Sequence, residues 1–247
     1  MSNPVSRTSR VIELTDNSGV YEQEIFDCEN PTSIIVSSHG NGVRRWDGKK
    51  FYYQVADHFT DSVVLLVDQN QPVDDGVKLN DFQTMVSRVQ ELLDLAKENY
   101  KEVPIWIMGH SMGCPISCLL NLDGIAGVIF VAPAVGAPEK TMIERYGENI
   151  VNGKKVVTSD GYTKIIPKEY YDSVRGLVWE DEYEKLMQRF SPVHVFESGD
   201  DEIVGEGRFA HRKIPFTSYQ IIEGAKHNFQ YRFSEELFAK IDKILEL

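Results

Sequence analysis

Residues 104–121 read Pro-Ile-Trp-Ile-Met-Gly-His-Ser-Met-Gly-Cys-Pro-Ile-Ser-Cys-Leu-Leu-Asn. An apolar run stops on Gly109-His110-Ser111-Met112-Gly113 and a helical stretch, 114–121, follows. Gly-x-Ser-x-Gly between a strand and a helix predicts a turn sharp enough to project the serine hydroxyl clear of a sheet. Glycine is expected at both flanks because a side chain there would strike the neighbouring strand or helix. This stretch decides the fold class, because such a turn belongs to a sheet whose strands alternate with helices.

The rest of the chain agrees with that reading. Apolar, β-branched runs occur at 33–38, 62–68, 104–109, 125–133, 192–197 and 217–223. They are nearly continuous, as expected for strands covered on both faces by helices. Two earlier runs, 9–15 and 20–27, alternate polar and apolar residues and predict one-sided antiparallel strands. Phe82, Met85, Val86, Val89, Leu92, Leu93 and Ala96 lie at helical spacing, and Leu237, Ile241, Ile244 and Leu245 repeat the pattern. The expected architecture is α/β: eight strands, mostly parallel, with helices on both faces.

One region breaks the rhythm. Residues 138–190 carry Lys-Lys-Val-Val-Thr-Ser-Asp-Gly-Tyr-Thr-Lys-Ile-Ile, two short arms around Ser159-Asp160-Gly161, which predict a hairpin. Pro167 then opens a predicted helix. The expectation is one domain, 1–247, with a cap or lid inserted at about 138–190 after the sixth strand.

A serine hydroxyl is a weak nucleophile without a base, so a histidine is expected downstream. His227, in Gly224-Ala225-Lys226-His227-Asn228 after the last apolar run, is the candidate. His194 lies inside a strand run, His58 and His211 fall on predicted helices, and the His110 ring is expected to turn into the packing. The base needs a carboxylate to orient it, from the loop after 192–197. Asp200 and Asp201 compete there, and Asp201 is favoured because Ile203 and Val204 then anchor the loop while the acid turns inward. An oxyanion needs preorganised N–H donors. Met112 N–H is one candidate and Asn41 N–H, in His39-Gly40-Asn41-Gly42, is the other, with Gly42 next. His39 is expected to pin this loop.

Ser111, Asp201 and His227 in this order, with His-Gly-Asn-Gly after the third strand, resemble the α/β-hydrolase superfamily. The insert makes the chain similar to small cinnamoyl/feruloyl-type esterases and monoacylglycerol-lipase-like enzymes. The resemblance implies the α/β-hydrolase fold, no metal and no cofactor. It departs at Asp68-Gln69-Asn70-Gln71-Pro72, where many members carry Arg-Gly-His-Gly. A serine at the nucleophile position argues against the dehalogenases and epoxide hydrolases, which use Asp, and against the dienelactone hydrolases, which use Cys.

The expected function is therefore a carboxylesterase-type serine hydrolase acting on a small-molecule ester, small or medium and neutral, through an acyl-enzyme. Thioesterase, acyltransferase or C–C hydrolase chemistry on the same residues is the nearer alternative, and a non-catalytic ligand-binding protein the more distant one. Trp46, Tyr162 and Tyr170 are candidates for the substrate pocket. The net charge of −12, from 26 Lys and Arg against 38 Asp and Glu, argues against nucleic acid and anionic membranes as partners. Asp200, Asp201 and Glu202 concentrate acidity beside the predicted catalytic loop, which favours a neutral ester. Cys28, Cys114 and Cys118 form no CxxC pair and are read as reduced. Met1–Arg10 lacks the apolar core of a signal peptide, and a cytoplasmic protein is expected.

Overall fold

The computed structural model describes residues 8–46, 51–158, 161–204 and 211–246. Eight strands form the main sheet: β1 (Ser9–Asp16), β2 (Gly19–Phe26), β3 (Ser33–Ser38), β4 (Ser62–Val67), β7 (Ile105–His110), β8 (Gly127–Val131), β11 (Val193–Ser198) and β12 (Ser218–Ile222). Their order is β1-β2-β4-β3-β7-β8-β11-β12. β2 runs antiparallel to both β1 and β4, and every other pairing is parallel. The expected architecture is the observed one.

The physical cause is visible in alternate residues of single strands. Val63, Leu65 and Val67 of β4 face one core, while Val64 and Leu66 face the other. A strand buried on both faces has no polar face to alternate with, hence the continuous apolar runs. The first core is closed by α2 (Phe82–Asn99), whose Met85, Val86, Val89, Leu92, Leu93 and Ala96 are buried. Asp81 caps this helix by accepting the Thr84 N–H at 3.0 Å. The second core is closed by α1 (Phe51–His58) and α7 (Arg232–Leu245).

Between β8 and β11 the chain forms α4 (Pro138–Tyr146), a 3₁₀ turn (Glu148–Asn152), β9 (Lys154–Val157), β10 (Thr163–Ile166), α5 (Lys168–Val174) and α6 (Trp179–Arg189). β9 and β10 pair antiparallel, as a hairpin requires; Ser159 and Asp160 of its expected turn lie outside the described residues. The stretch that departs from the family pattern, 68–72, leads into β5 (Gln71–Val73) and β6 (Gly76–Lys78), a hairpin absent from the sequence-based expectation. β6 pairs in parallel with β10, so the two hairpins make a second sheet in the order β5-β6-β10-β9. Gly76 permits this junction, since a Cβ there would lie 1.8 Å from the Thr163 carbonyl oxygen.

Candidate active site

Parallel strands share a direction, so the loops leaving β3, β7, β11 and β12 emerge at one edge of the sheet. The first carries His39–Gly42, the second Ser111, the third Asp201 and the fourth His227.

Ser111 has φ +55°, a left-handed conformation that side chains rarely adopt. Its backbone is held on both sides: its N–H donates to the Val131 carbonyl at 3.0 Å, and its carbonyl accepts from Cys114 and Ala134. Strain of this kind persists only where the surroundings enforce it. Here both flanking glycines do so. A Cβ on Gly109 would lie 2.8 Å from the Gly113 carbonyl oxygen, and one on Gly113 only 1.9 Å from that of Ser38. α3 (Gly113–Ser117) starts directly beyond, with Met112 at its cap position.

His227 Nδ1 and Asp201 Oδ2 are 2.7 Å apart. The other carboxylate oxygen of Asp201 accepts the N–H groups of Ile203 and Val204, both at 2.8 Å. Burial alone pushes the Asp201 carboxyl up, but the hydrogen bond and charge of His227 and these two N–H groups outweigh it and hold the pKa below its ordinary value. Ile203 is itself largely exposed, so backbone amides anchor this loop, whereas the sequence reading assigned that part to apolar side chains. Asp200 points outward, its nearest cation Lys226 at 4.0 Å. Glu202 was counted only as part of an acidic turn, yet it accepts the His227 N–H at 3.1 Å.

The loop after β3 is pinned as expected. Gln69 N–H donates to His39 Nε2 at 3.0 Å, which leaves Nδ1 to donate to the Gly40 carbonyl at 2.9 Å. Tyr52 of α1 adds a link that no motif announced. Its hydroxyl accepts the Gly40 N–H at 2.8 Å and meets His110 Nδ1 at 2.9 Å. His110 Nε2 donates to the His227 carbonyl at 2.9 Å. Burial, reinforced by the neighbouring His227, pulls the His110 pKa down to about 3, so the ring is neutral and Tyr52 donates to its Nδ1. Three of the four loops are thereby tied together beneath Ser111. A Cβ on Gly40 would sit 3.7 Å from Ser111 Oγ, which shows how closely that loop approaches the serine.

Two cavities meet at Ser111, and both are also lined by Asn41, Arg145 and Ile203. The first, about 100 Å³, is mainly apolar, with Met112, Val135, Met142, Tyr170 and Trp179 in its walls. The second, about 190 Å³, is lined by Gly40, Tyr52, His110, Lys164, His227 and Asn228. Among the described residues, neither the Asn41 N–H nor the Met112 N–H has a protein acceptor. Of the three aromatic candidates only Tyr170 lines a cavity here. Trp46 lies instead against Arg44 and Arg45, whose guanidinium carbons are 3.8 and 4.3 Å from its ring centre. Tyr162 packs against the first core. His194 is buried and bonded to Ser218, while His211 sits in a short turn with its Nε2 2.5 Å from Glu197, not on a long helix. Among the described residues no group of three or more His, Cys, Asp or Glu side chains is placed to hold a metal.

The sheet order and the serine turn define an α/β-hydrolase fold. Solved structures share it over nearly the whole chain. A soluble variant of monoglyceride lipase from Saccharomyces cerevisiae, in complex with a substrate analogue, has a TM-score of 0.76 at 13% identity, covering 99% of this chain and 97% of that one. Est1E from Butyrivibrio proteoclasticus, with ferulic acid bound, has a TM-score of 0.70 at 17% identity, covering 99% and 97%. The chain thus has the fold of the α/β-hydrolases. The family described as serine aminopeptidase, S33, matches residues 74–157. In sequence the chain is similar to mouse monoglyceride lipase, 30% identical over a 114-residue alignment, with a coverage of 42% of this chain and 36% of that protein. It is also similar to the monoglyceride lipase homolog of monkeypox virus, 28% over 131 residues, 49% of this chain and 46% of that protein. The matched stretches thus span less than half of either relative's length.

Proposed function

We propose that the chain is a serine hydrolase that cleaves carboxylic esters through an acyl-enzyme. Ser111 Oγ attacks the ester carbonyl while His227 Nε2 takes its proton, and the carbonyl oxygen becomes an oxyanion between the Asn41 and Met112 N–H groups. The carbonyl re-forms, the bond to the alcohol oxygen breaks, and the proton on His227 passes to the leaving alcohol. Water then gives a proton to His227 and attacks the acyl carbon, the bond to Ser111 Oγ breaks, and the proton on His227 passes to that oxygen as the acid leaves. Asp201 keeps the imidazole in the tautomer whose Nε2 faces the reaction and stabilises the imidazolium.

The observation that carries this reading is the pairing of Ser111, forced to φ +55°, with a His227–Asp201 hydrogen bond at the same cleft. The apolar cavity is suited to a small or medium neutral acyl group. Residues 138–190 act as a cap, since Pro138, Met142, Tyr146, Tyr170 and Trp179 supply much of its wall. Incubation with a fluorophosphonate probe tests the reading. Labelling of the wild type that disappears in Ser111→Ala is expected, and no labelling at neutral pH would sink it.

A further inference from the structure

The two cavities at Ser111 differ in chemistry, and the ester-hydrolase reading assigns a half of the substrate to each. The leaving oxygen must receive the proton held by His227, so the alcohol half extends through the cavity that His227 lines. The acyl half occupies the other, apolar one, whose lining lacks His227. The walls of the alcohol side contain two cations, Lys164, which lines this side alone, and Arg145, which stands where the two cavities meet, and among the described residues no carboxylate lines it. That is unusual company in a chain of 38 acidic and 26 basic residues.

The cations come from different elements. Lys164 stands on β10, half-buried, its ammonium leaning over the loop after β3: a Cβ on Gly42 would be 3.3 Å from its Nζ. Arg145 comes from the last turn of α4 and spends one N–H on the Ile203 carbonyl at 3.0 Å. A guanidinium has five N–H donors in a planar fork, well matched to a carboxylate or phosphate. An ammonium has three N–H donors, so Lys164 can take an anion beside the partner it already has within the protein. The acidic turn that favoured a neutral substrate does not oppose this arrangement. Asp201 is occupied at both oxygens, Glu202 accepts the His227 N–H, and Asp200 points out beside Lys226.

We propose that the substrate is an ester whose alcohol half bears an anionic oxyacid group, carboxylate or phosphate, held between Lys164 and Arg145. This rests on the ester-hydrolase reading and replaces the neutral alcohol expected from the sequence.

Three butanoyl esters with a common acyl group provide the test: those of glycerol, of glycerol 3-phosphate and of lactate. Their kcat/KM values are measured by acid release in the wild type, K164A, R145A and K164R, alongside fluorophosphonate labelling. At least one anionic ester should exceed the glycerol ester by about tenfold in the wild type, an advantage that shrinks about tenfold in K164A or R145A and largely survives in K164R. Which anionic ester wins tells phosphate from carboxylate. In the wild type alone, raising KCl from about 50 to about 500 mM should erode the anionic advantage, a readout independent of any variant's folding. Labelling of Ser111 with the glycerol ester equal or better would overturn this proposal and leave the hydrolase reading standing. An anionic advantage insensitive to both salt and the two substitutions would overturn it as well. No labelling and no turnover of any ester would remove the hydrolase reading, and this proposal with it.

Discussion

His110 and His227, 117 positions apart, are joined through the Nε2–H of the first and the backbone carbonyl of the second at 2.9 Å. The neighbour of the serine therefore fixes the loop that carries His227. Tyr52 extends the tie to Gly40. Tyr52→Phe keeps the ring but leaves the Gly40 N–H and His110 Nδ1 buried without this partner. A loss of about 1–3 kcal/mol in urea unfolding is expected. A fall in kcat larger than the change in KM should accompany it, because the loop that carries Asn41, the proposed oxyanion donor, loses an anchor. Unchanged kcat in a folded variant would show that the tie does not position the site.

The two neighbouring acids separate cleanly. Asp201→Asn leaves a hydrogen-bonding group but favours the wrong imidazole tautomer, and should lower kcat by up to about 10⁴-fold. Asp200→Asn touches only an exposed side chain and should change kcat by less than about twofold. The reverse order in steady-state kinetics would reassign the acid.

Gly113→Ala places a Cβ 1.9 Å from the Ser38 carbonyl oxygen, a backbone atom that cannot swing aside. Destabilisation of about 3 kcal/mol or more is expected, with loss of fluorophosphonate labelling in any folded fraction. Gly124→Ala meets nothing within 4 Å, although its φ is +76°. That variant should cost only about 1 kcal/mol, the strain of a left-handed alanine.

The His110 shift has a definite sign in stability. Its folded pKa of about 3 lies below the ordinary 6.5, so between these values the unfolded chain binds a proton that the folded one does not. Stability is therefore full above about pH 6.5 and falls as the pH drops toward 3, with a slope of up to about 1.4 kcal/mol per pH unit. Asp201, lowered from 3.8, keeps its contribution down to about that pH and loses it as the pH falls further. Urea midpoints from pH 7 to pH 4 should show the decline, and His110→Gln should flatten it. An unchanged slope in that variant would assign the effect to other groups.

Met142, buried at 4% exposure in the wall of the apolar cavity, should gate acyl length. In a p-nitrophenyl ester series, Met142→Ala should move the optimum to longer chains. An optimum that stays in place would show that the acyl group lies elsewhere.

What was readable beforehand followed from strong local physics. The six parallel strands announced themselves because burial on both faces leaves no polar position, and β3 appeared at 33–38 as expected. The placing of Ser111, Asp201 and His227 at one edge of the sheet was readable because the serine turn demands particular neighbours and each of the other two follows a strand end. The rest depended on distant pairing. β5 and β6 are three residues each, with Pro72 in one of them, too short for any period. The Tyr52–His110 contact arises because α1 crosses beneath the serine loop, a placement no spacing within 51–58 encodes. Trp46 was drawn toward the pocket by its closeness in sequence, but two adjacent arginines hold its ring. Glu202 was hidden because a carboxylate bonded to a backbone amide looks, in sequence, like any other turn acid.

The parallel join of β6 to β10 also bears on how this protein can be re-engineered. Grafting a foreign insert in place of 138–190 would strip β6 of β10, one of its two partners, and leave an open strand edge, a template for aggregation. The transferable module is therefore discontinuous, 71–78 together with 138–190. Chimeras that exchange both pieces should stay monodisperse where single-piece exchanges precipitate.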